Sequence, residues 1–311
     1  MKNLLILIIA SLFAYLQARA CLNELSVTAT GKEVITDDLR YIVPKGVDHV
    51  AAKAKYEDKL LEHKIVWEKT QSIDSYSDYG LYLILLGRYE EAKVVFKEIE
   101  VIVPDRYATA ANIGTLYELV GQNDSALYWI KESVRLYPAA HDSSEWLHVK
   151  ILEAKIKGIT YITSQFLLGV DFGNKPKPET DLSTAQLKKL GRAIYYQLNE
   201  RMSFIKPEEP IVALLLFELG NITSFTISVE NAIANFRLAK EYGYDSEVMG
   251  NRWAVFSGMH NEVSEYNPID DAPPLTTDSS ILSGWFFAVV ILVSLGALAA
   301  WYFFRRNKER P

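Results

Sequence analysis

The chain has 311 residues, 49% of them hydrophobic and 23% charged, with 11 prolines and 16 glycines, a balance that excludes a disordered or fibrous polypeptide. Lysine and arginine number 33 against 39 aspartates and glutamates; six of the basic residues and one acid lie in the two terminal segments, leaving 27 basic against 38 acidic residues between them. So acidic a stretch is unsuited to neutralising phosphates, which argues against a nucleic-acid partner. The single cysteine, Cys21, excludes an internal disulfide framework and a thiolate metal cluster.

Residues 1–20 open on Lys2, continue through an apolar run from Leu4 to Phe13 and end on Ala18-Arg19-Ala20, the three parts of a secretory signal peptide. Cleavage after Ala20 leaves Cys21 first, so the junction is similar to a bacterial lipoprotein signal and Cys21 is a candidate for lipidation, although Ala18 and Arg19 depart from that pattern. The N-terminal segment 21–72 follows. Within it, residues 22–46 predict a short hairpin around Gly31 and residues 47–70 one long charged helix.

An internal repeat organises the middle. Gly80 and Gly114 are 34 residues apart, as are Gly87 and Gly121, Ala92 and Ala126, and Pro104 and Pro138. A glycine inside a helix is unfavourable by about 1 kcal/mol against alanine, so Gly80 and Gly114 point to close approach of a second helix, and Ala92 and Ala126 to the same contact from the other side. Gly87 and Gly121 permit the turn between paired helices, while Pro104 and Pro138 end the second helix. The units 73–106 and 107–140 resemble the tetratricopeptide repeat (TPR). Tyr76, Tyr79, Gly80, Leu83, Gly87, Tyr89, Ala92, Phe96 and Pro104 carry the likeness in the first, and Ile113, Gly114, Tyr117, Ala126, Ile130 and Pro138 in the second.

A partial third unit occupies 141–158, with Asp142 to Glu145 as a capping signal before a helix over 146–156. A connector (159–182) follows, its part 175–181 read as loop. A second helical part spans 183–246, where Ser183 and Gln186 form a capping box with Leu187, Leu190, Ile194 and Leu198 on one face. Residues 213–246 resemble a degenerate TPR through Leu219, Gly220, Ala232 and Phe236, with Ile227 and Tyr244 departing from the turn glycine and terminal proline. Residues 247–280 read as an acidic, proline-containing stalk. Residues 281–304 then run about 24 residues without a charge, roughly 36 Å at the helical rise, which predicts a transmembrane helix. Trp285 lies near one end of it and Trp301 near the other, and Arg305, Arg306 and Lys308 in the tail 305–311 are expected to keep the C-terminus in the cytoplasm. Gly284/Ala288 and Gly296/Ala300 offer a small-residue spacing for weak pairing of two spans in a homo-oligomer. The expected fold is thus all-α: a TPR-type α-solenoid with one C-terminal transmembrane helix.

Motifs for catalysis are missing. The five histidines show no HExxH spacing, and there is neither a phosphate-binding glycine loop nor a nucleophile-elbow serine. His141 and His148 read as solvated or capping residues, and the sequons at Asn123 and Asn221 as chance matches. No metal, cofactor or catalytic residue is expected. The TPR resemblance implies a groove lined by the outward positions of each first helix. Here these are Asp74, Ser77, Leu81, Ile84 and Leu85, then Ala108, Ala111, Asn112, Thr115 and Glu118, then Asp142, Glu145, Val149 and Leu152. Places where a TPR subgroup grips a C-terminal carboxylate hold Ser77, Leu81, Asp142 and Trp146, and only Asn112 matches. The expectation is a membrane-anchored extracytoplasmic scaffold binding a protein or peptide in a bacterial envelope assembly; the alternative is an accessory subunit of an envelope protease or polysaccharide-processing complex.

Overall fold

The structure is a computed structural model that describes residues 24–27, 33–36 and 43–265; the side chains of the two strands, of Asp142 and of residues 262–265 lie outside that description. The expected signal peptide, Cys21, the transmembrane helix 281–304 and the basic tail all lie outside the described residues. Among the described residues no helix is long and apolar enough to cross a membrane.

The hairpin expected in 22–46 is present: β1 (Glu24–Val27) pairs antiparallel with β2 (Glu33–Thr36), Glu24 opposite Thr36 and Val27 opposite Glu33. Among the described residues every regular element after it is a helix. α1 (Lys53–Thr70) packs on α2 (Ile73–Leu85) through Leu60 and through Trp67, which stacks on Tyr76 at 4.3 Å between ring centres. The helix starts six residues later than expected because Asp48 turns its carboxylate back onto the Val50 and Ala51 N–H groups, both at 3.0 Å. The segment before it is held elsewhere: Asn199 accepts from the Gly46 N–H at 3.2 Å and Ser203 from the Val47 N–H at 2.8 Å.

The repeats have the expected pairing. α2 packs on α3 (Tyr89–Ile102), and α4 (Tyr107–Leu119) on α5 (Asn123–Leu136). A side chain added at Gly80 would meet the Phe96 ring at 2.7 Å, and one at Gly114 would meet Ile130 at 2.5 Å, while Ala92 and Ala126 are fully buried. Gly87 and Gly121 take φ of 74° and 76°, and the helix ends close by bonds from Arg88 N–H to the Leu83 carbonyl and Gln122 N–H to the Tyr117 carbonyl, both 2.8 Å.

The third unit departs from expectation at its start. A four-residue turn of helix, α6 (Ala140–Ser143), precedes α7 (Glu145–Lys157), and Ser144 makes no side-chain cap: its backbone is already helical and its hydroxyl accepts from Gln197 instead. The connector holds a 3-10 turn (Ile159–Tyr161) and the short helix α8 (Ser164–Leu168) capped by Thr163. α9 (Thr184–Met202) opens with the expected capping box of Ser183 and Gln186.

α10 (Pro210–Thr226) and α11 (Val229–Glu241) form the degenerate pair. Gly220 approaches Phe236 as Gly80 approaches Phe96, an added side chain meeting the ring at 2.4 Å, and Ala232 is fully buried. Ile227 needs no left-handed turn, since its φ is −134° and Ser228 then caps α11; Gly243, with φ 96°, ends that helix in place of a proline. Residues 247–265, assigned to the stalk from sequence, are a helix instead, α12 (Glu247–Glu265). Ser246 accepts from the Met249 N–H at 3.1 Å, and Met249, Arg252 and Phe256 turn one face into the core. That core gathers Leu147 and Ile151 of α7, Leu187, Ile194 and Leu198 of α9, and the inner faces of α10 to α12, while a second core lies between α1 and α4.

Candidate protein-binding surface

The groove positions expected from the repeat register divide into two groups. Ser77, Ile84, Ala111 and Leu152 are buried, and Val149 packs against Ala126, Ile130 and Leu152. These side chains are committed to helix packing. Asp74 is exposed and paired with Arg106 at 2.6 Å, while Leu81, Leu85, Ala108 and Asn112 are half-buried. Gly80, Ala92, Phe96, Gly114, Ala126, Gly220 and Ala232 are at the helix crossings, and Pro104 and Pro138 follow the ends of α3 and α5.

Thr115, Glu118 and Glu145 do converge, around a hollow of about 270 Å³. They meet a cluster of charges brought together from α7 and α9, beyond any local sequence pattern. Arg201, near the end of α9, grips Glu118 with two nitrogens at 2.6 and 3.3 Å; His148 and Lys155 of α7 reach the same carboxylate, each at 2.7 Å. Glu145 accepts from His141 at 2.6 Å and lies 3.5 Å from His148, and Gln197 donates to Ser144 at 3.2 Å. His141 also stacks on Tyr196 of α9. His148 is therefore a partner in a buried network rather than a solvated or capping group, while His141 joins that network from an exposed position. The spacing of His141, Glu145 and His148 was the available signal, although His141 lies in the short turn before α7; Arg201 is 83 residues from Glu118, beyond any local pattern.

Electrostatics follow from this geometry. Burial pushes the Glu118 carboxyl up, but Arg201, His148 and Lys155 outweigh it and hold it well below the usual carboxylate range. Burial likewise raises Glu145, yet hydrogen bonds from His141 and His148 bring it to about 2. Burial disfavours a charged His148, but Glu118 and Glu145 raise its pKa above the ordinary value. Glu118 and Glu145 are thus neutralised from within the chain.

A second hollow, about 500 Å³, lies between α9 and α10. Lys188, Arg192 and Tyr195 form one wall, and Leu219, Ile222 and Ile227 the other. A third polar group is structural: Arg252, 1% exposed, donates to the carbonyls of Phe172 and Gly173 and to Asn221, tying the connector to α10. Asn221 is fully buried, which removes its sequon from reach of modification in the folded chain. Among the described residues no three His, Cys, Asp or Glu side chains are grouped to hold a metal ion. No protein-family model matches the chain, and no curated protein matches it in sequence.

Proposed function

We propose that the chain is a non-catalytic, membrane-anchored scaffold of TPR-type helical repeats, exported by residues 1–20, tethered by residues 281–304 and binding a protein or peptide partner in an envelope assembly. What carries the reading is the hollow to which first helices of two successive units contribute, Thr115 and Glu118 from one and Glu145 and His148 from the next. With Glu118 and Glu145 paired internally, affinity falls to the half-buried leucines of α2. Burying Leu81 and Leu85 in a partner contributes about 1.5–3 kcal/mol each before association entropy is subtracted.

The test is cross-linking in intact cells, solubilisation of the full chain and identification of what is enriched over an untagged control. Leu81→Glu with Leu85→Glu is expected to abolish recovery of the principal partner while helical circular dichroism stays intact. Recovery of no specific partner by the unaltered chain sinks the scaffold reading, and undiminished recovery by the folded double variant removes α2 from the interface.

A further inference from the structure

Resting on the scaffold reading, we infer that the hollow lined by α4, α7 and α9 receives an arginine side chain of the partner protein, with Glu200 and Gln197 as its acceptors. The two other carboxylates of that hollow are already engaged. Glu118 is held by Arg201, His148 and Lys155, and Glu145 by His141 and Gln197. Glu200 alone of the three makes no hydrogen bond or ion pair through its carboxylate among the described residues, for Lys155 and Arg201 both turn to Glu118 instead. Its side chain reaches solvent, yet the walls around it desolvate the carboxyl and push it above the ordinary range; His141 opposes that rise and Glu145 adds to it. A carboxylate so placed gains from a cation supplied from outside the chain.

Gln197 supplies the second acceptor. It is 3% exposed and lines the same hollow one turn before Glu200 on α9, a separation of about 4.5 Å along the axis at the helical rise. Its amide nitrogen donates to Ser144 Oγ at 3.2 Å and to Glu145 Oε1 at 3.4 Å. An ionised Glu145 can only accept, so it fixes which way the amide is turned and leaves the Gln197 carbonyl without a donor among the described residues. A guanidinium carries five N–H groups in a rigid planar fork that meets a carboxylate and a neighbouring carbonyl together, whereas an ammonium is a compact point charge. Leu119, Phe204 and Ile205, all half-buried, give the hollow an apolar side for the methylene stem. At about 270 Å³ the hollow falls short of the roughly 300–1,000 Å³ that enclose a whole small molecule, which suits one side chain presented by a larger partner.

The test uses the full chain in lipid nanodiscs and three short labelled peptides that differ at one central position: arginine, lysine, or citrulline, which keeps the shape of arginine without its charge. By fluorescence anisotropy the arginine peptide should bind more tightly than about 1 mM and about tenfold or more better than the citrulline peptide, with lysine between them. Glu200→Gln should weaken arginine binding about tenfold, leave citrulline binding unchanged and leave the melting curve in place, since no described group is bonded to that carboxylate. Glu200→Asp, which keeps the charge, should retain the preference for arginine over citrulline, and Glu90→Gln on the exposed side of α3 should alter neither affinity. No saturable binding of the arginine peptide, equal binding of the arginine and citrulline peptides, or arginine binding untouched by Glu200→Gln overturns the assignment. Agmatine binding more tightly than the arginine peptide would give the hollow to a free small cation and equally overturns it. The scaffold reading fails separately, by the absence of any specific partner of the unaltered chain on cross-linking.

Discussion

Gly220→Leu is expected to lower the unfolding midpoint more than any other single glycine substitution in the repeats, with Gly114→Leu next. An added side chain at Gly220 meets Phe236 at 2.4 Å and the Ala232 carbonyl at 3.1 Å; at Gly114 it meets the mobile end of Ile130 at 2.5 Å and that residue's backbone nitrogen at 3.2 Å. Overpacking of this kind typically destabilises by about 1–3 kcal/mol, and Gly220 should exceed Gly114 because its neighbours are a ring and a backbone oxygen that cannot swing aside. Glu90→Gln, on the exposed side of α3, should leave the midpoint within about 0.5 kcal/mol of the unaltered chain. Urea denaturation followed by circular dichroism reads all three. A Gly220→Leu chain that unfolds where the unaltered one does would mean that α10 and α11 do not cross at that residue.

Glu118→Gln should be comparably severe. It removes the anion shared by Arg201, Lys155 and His148 while leaving those cations buried or half-buried around a neutral amide, and breaking such a buried set destabilises by about 3–5 kcal/mol. Arg201→Met should do less, since Lys155 and His148 remain on Glu118. The same network sets a pH dependence whose sign follows from the shifts. Glu118 and Glu145 are held below their ordinary value of 4.5, so their contribution is complete above that pH and fades as the pH falls towards about 2, where Glu145 protonates. His148 is raised above 6.5, so its contribution is present below 6.5 and is lost as the pH rises through the raised value. Stability should peak between about 4.5 and 6.5, and His148→Gln should flatten the decline on the alkaline side. An alkaline limb that is unchanged in His148→Gln would take His148 out of the network.

What was legible in the sequence was local or periodic. Gly80, Gly114 and Gly220 each face a bulky residue sixteen positions on, Phe96, Ile130 and Phe236, so one contact recurs and leaves a repeat visible without any structure. Ser183 and Gln186 announce α9 because both halves of a capping box lie within one turn. What was not legible depended on α9 folding back. Glu118 and Glu145 look like free acids on a groove until Arg201 and Gln197 are brought to them. The start of α12 was hidden for another reason: Met249 and Phe256 are its buried anchors, and the residue between them that faces inward is Arg252, a charge whose partners are loop carbonyls far away in the chain. Ile227 was visible as a departure from the repeat, but its place in the lining of a hollow required the facing wall of α9.

The proposal of an exported scaffold tethered at its C-terminus rests on residues 1–20 and 281–304, and fusing alkaline phosphatase at two points of the full chain tests it most directly. The proposal requires the enzyme to be active after Ser280 and inactive after Lys308, with the repeats outside the cytoplasm and Arg305, Arg306 and Lys308 within it. Activity after Lys308 together with inactivity after Ser280 would invert the topology and contradict an extracytoplasmic scaffold.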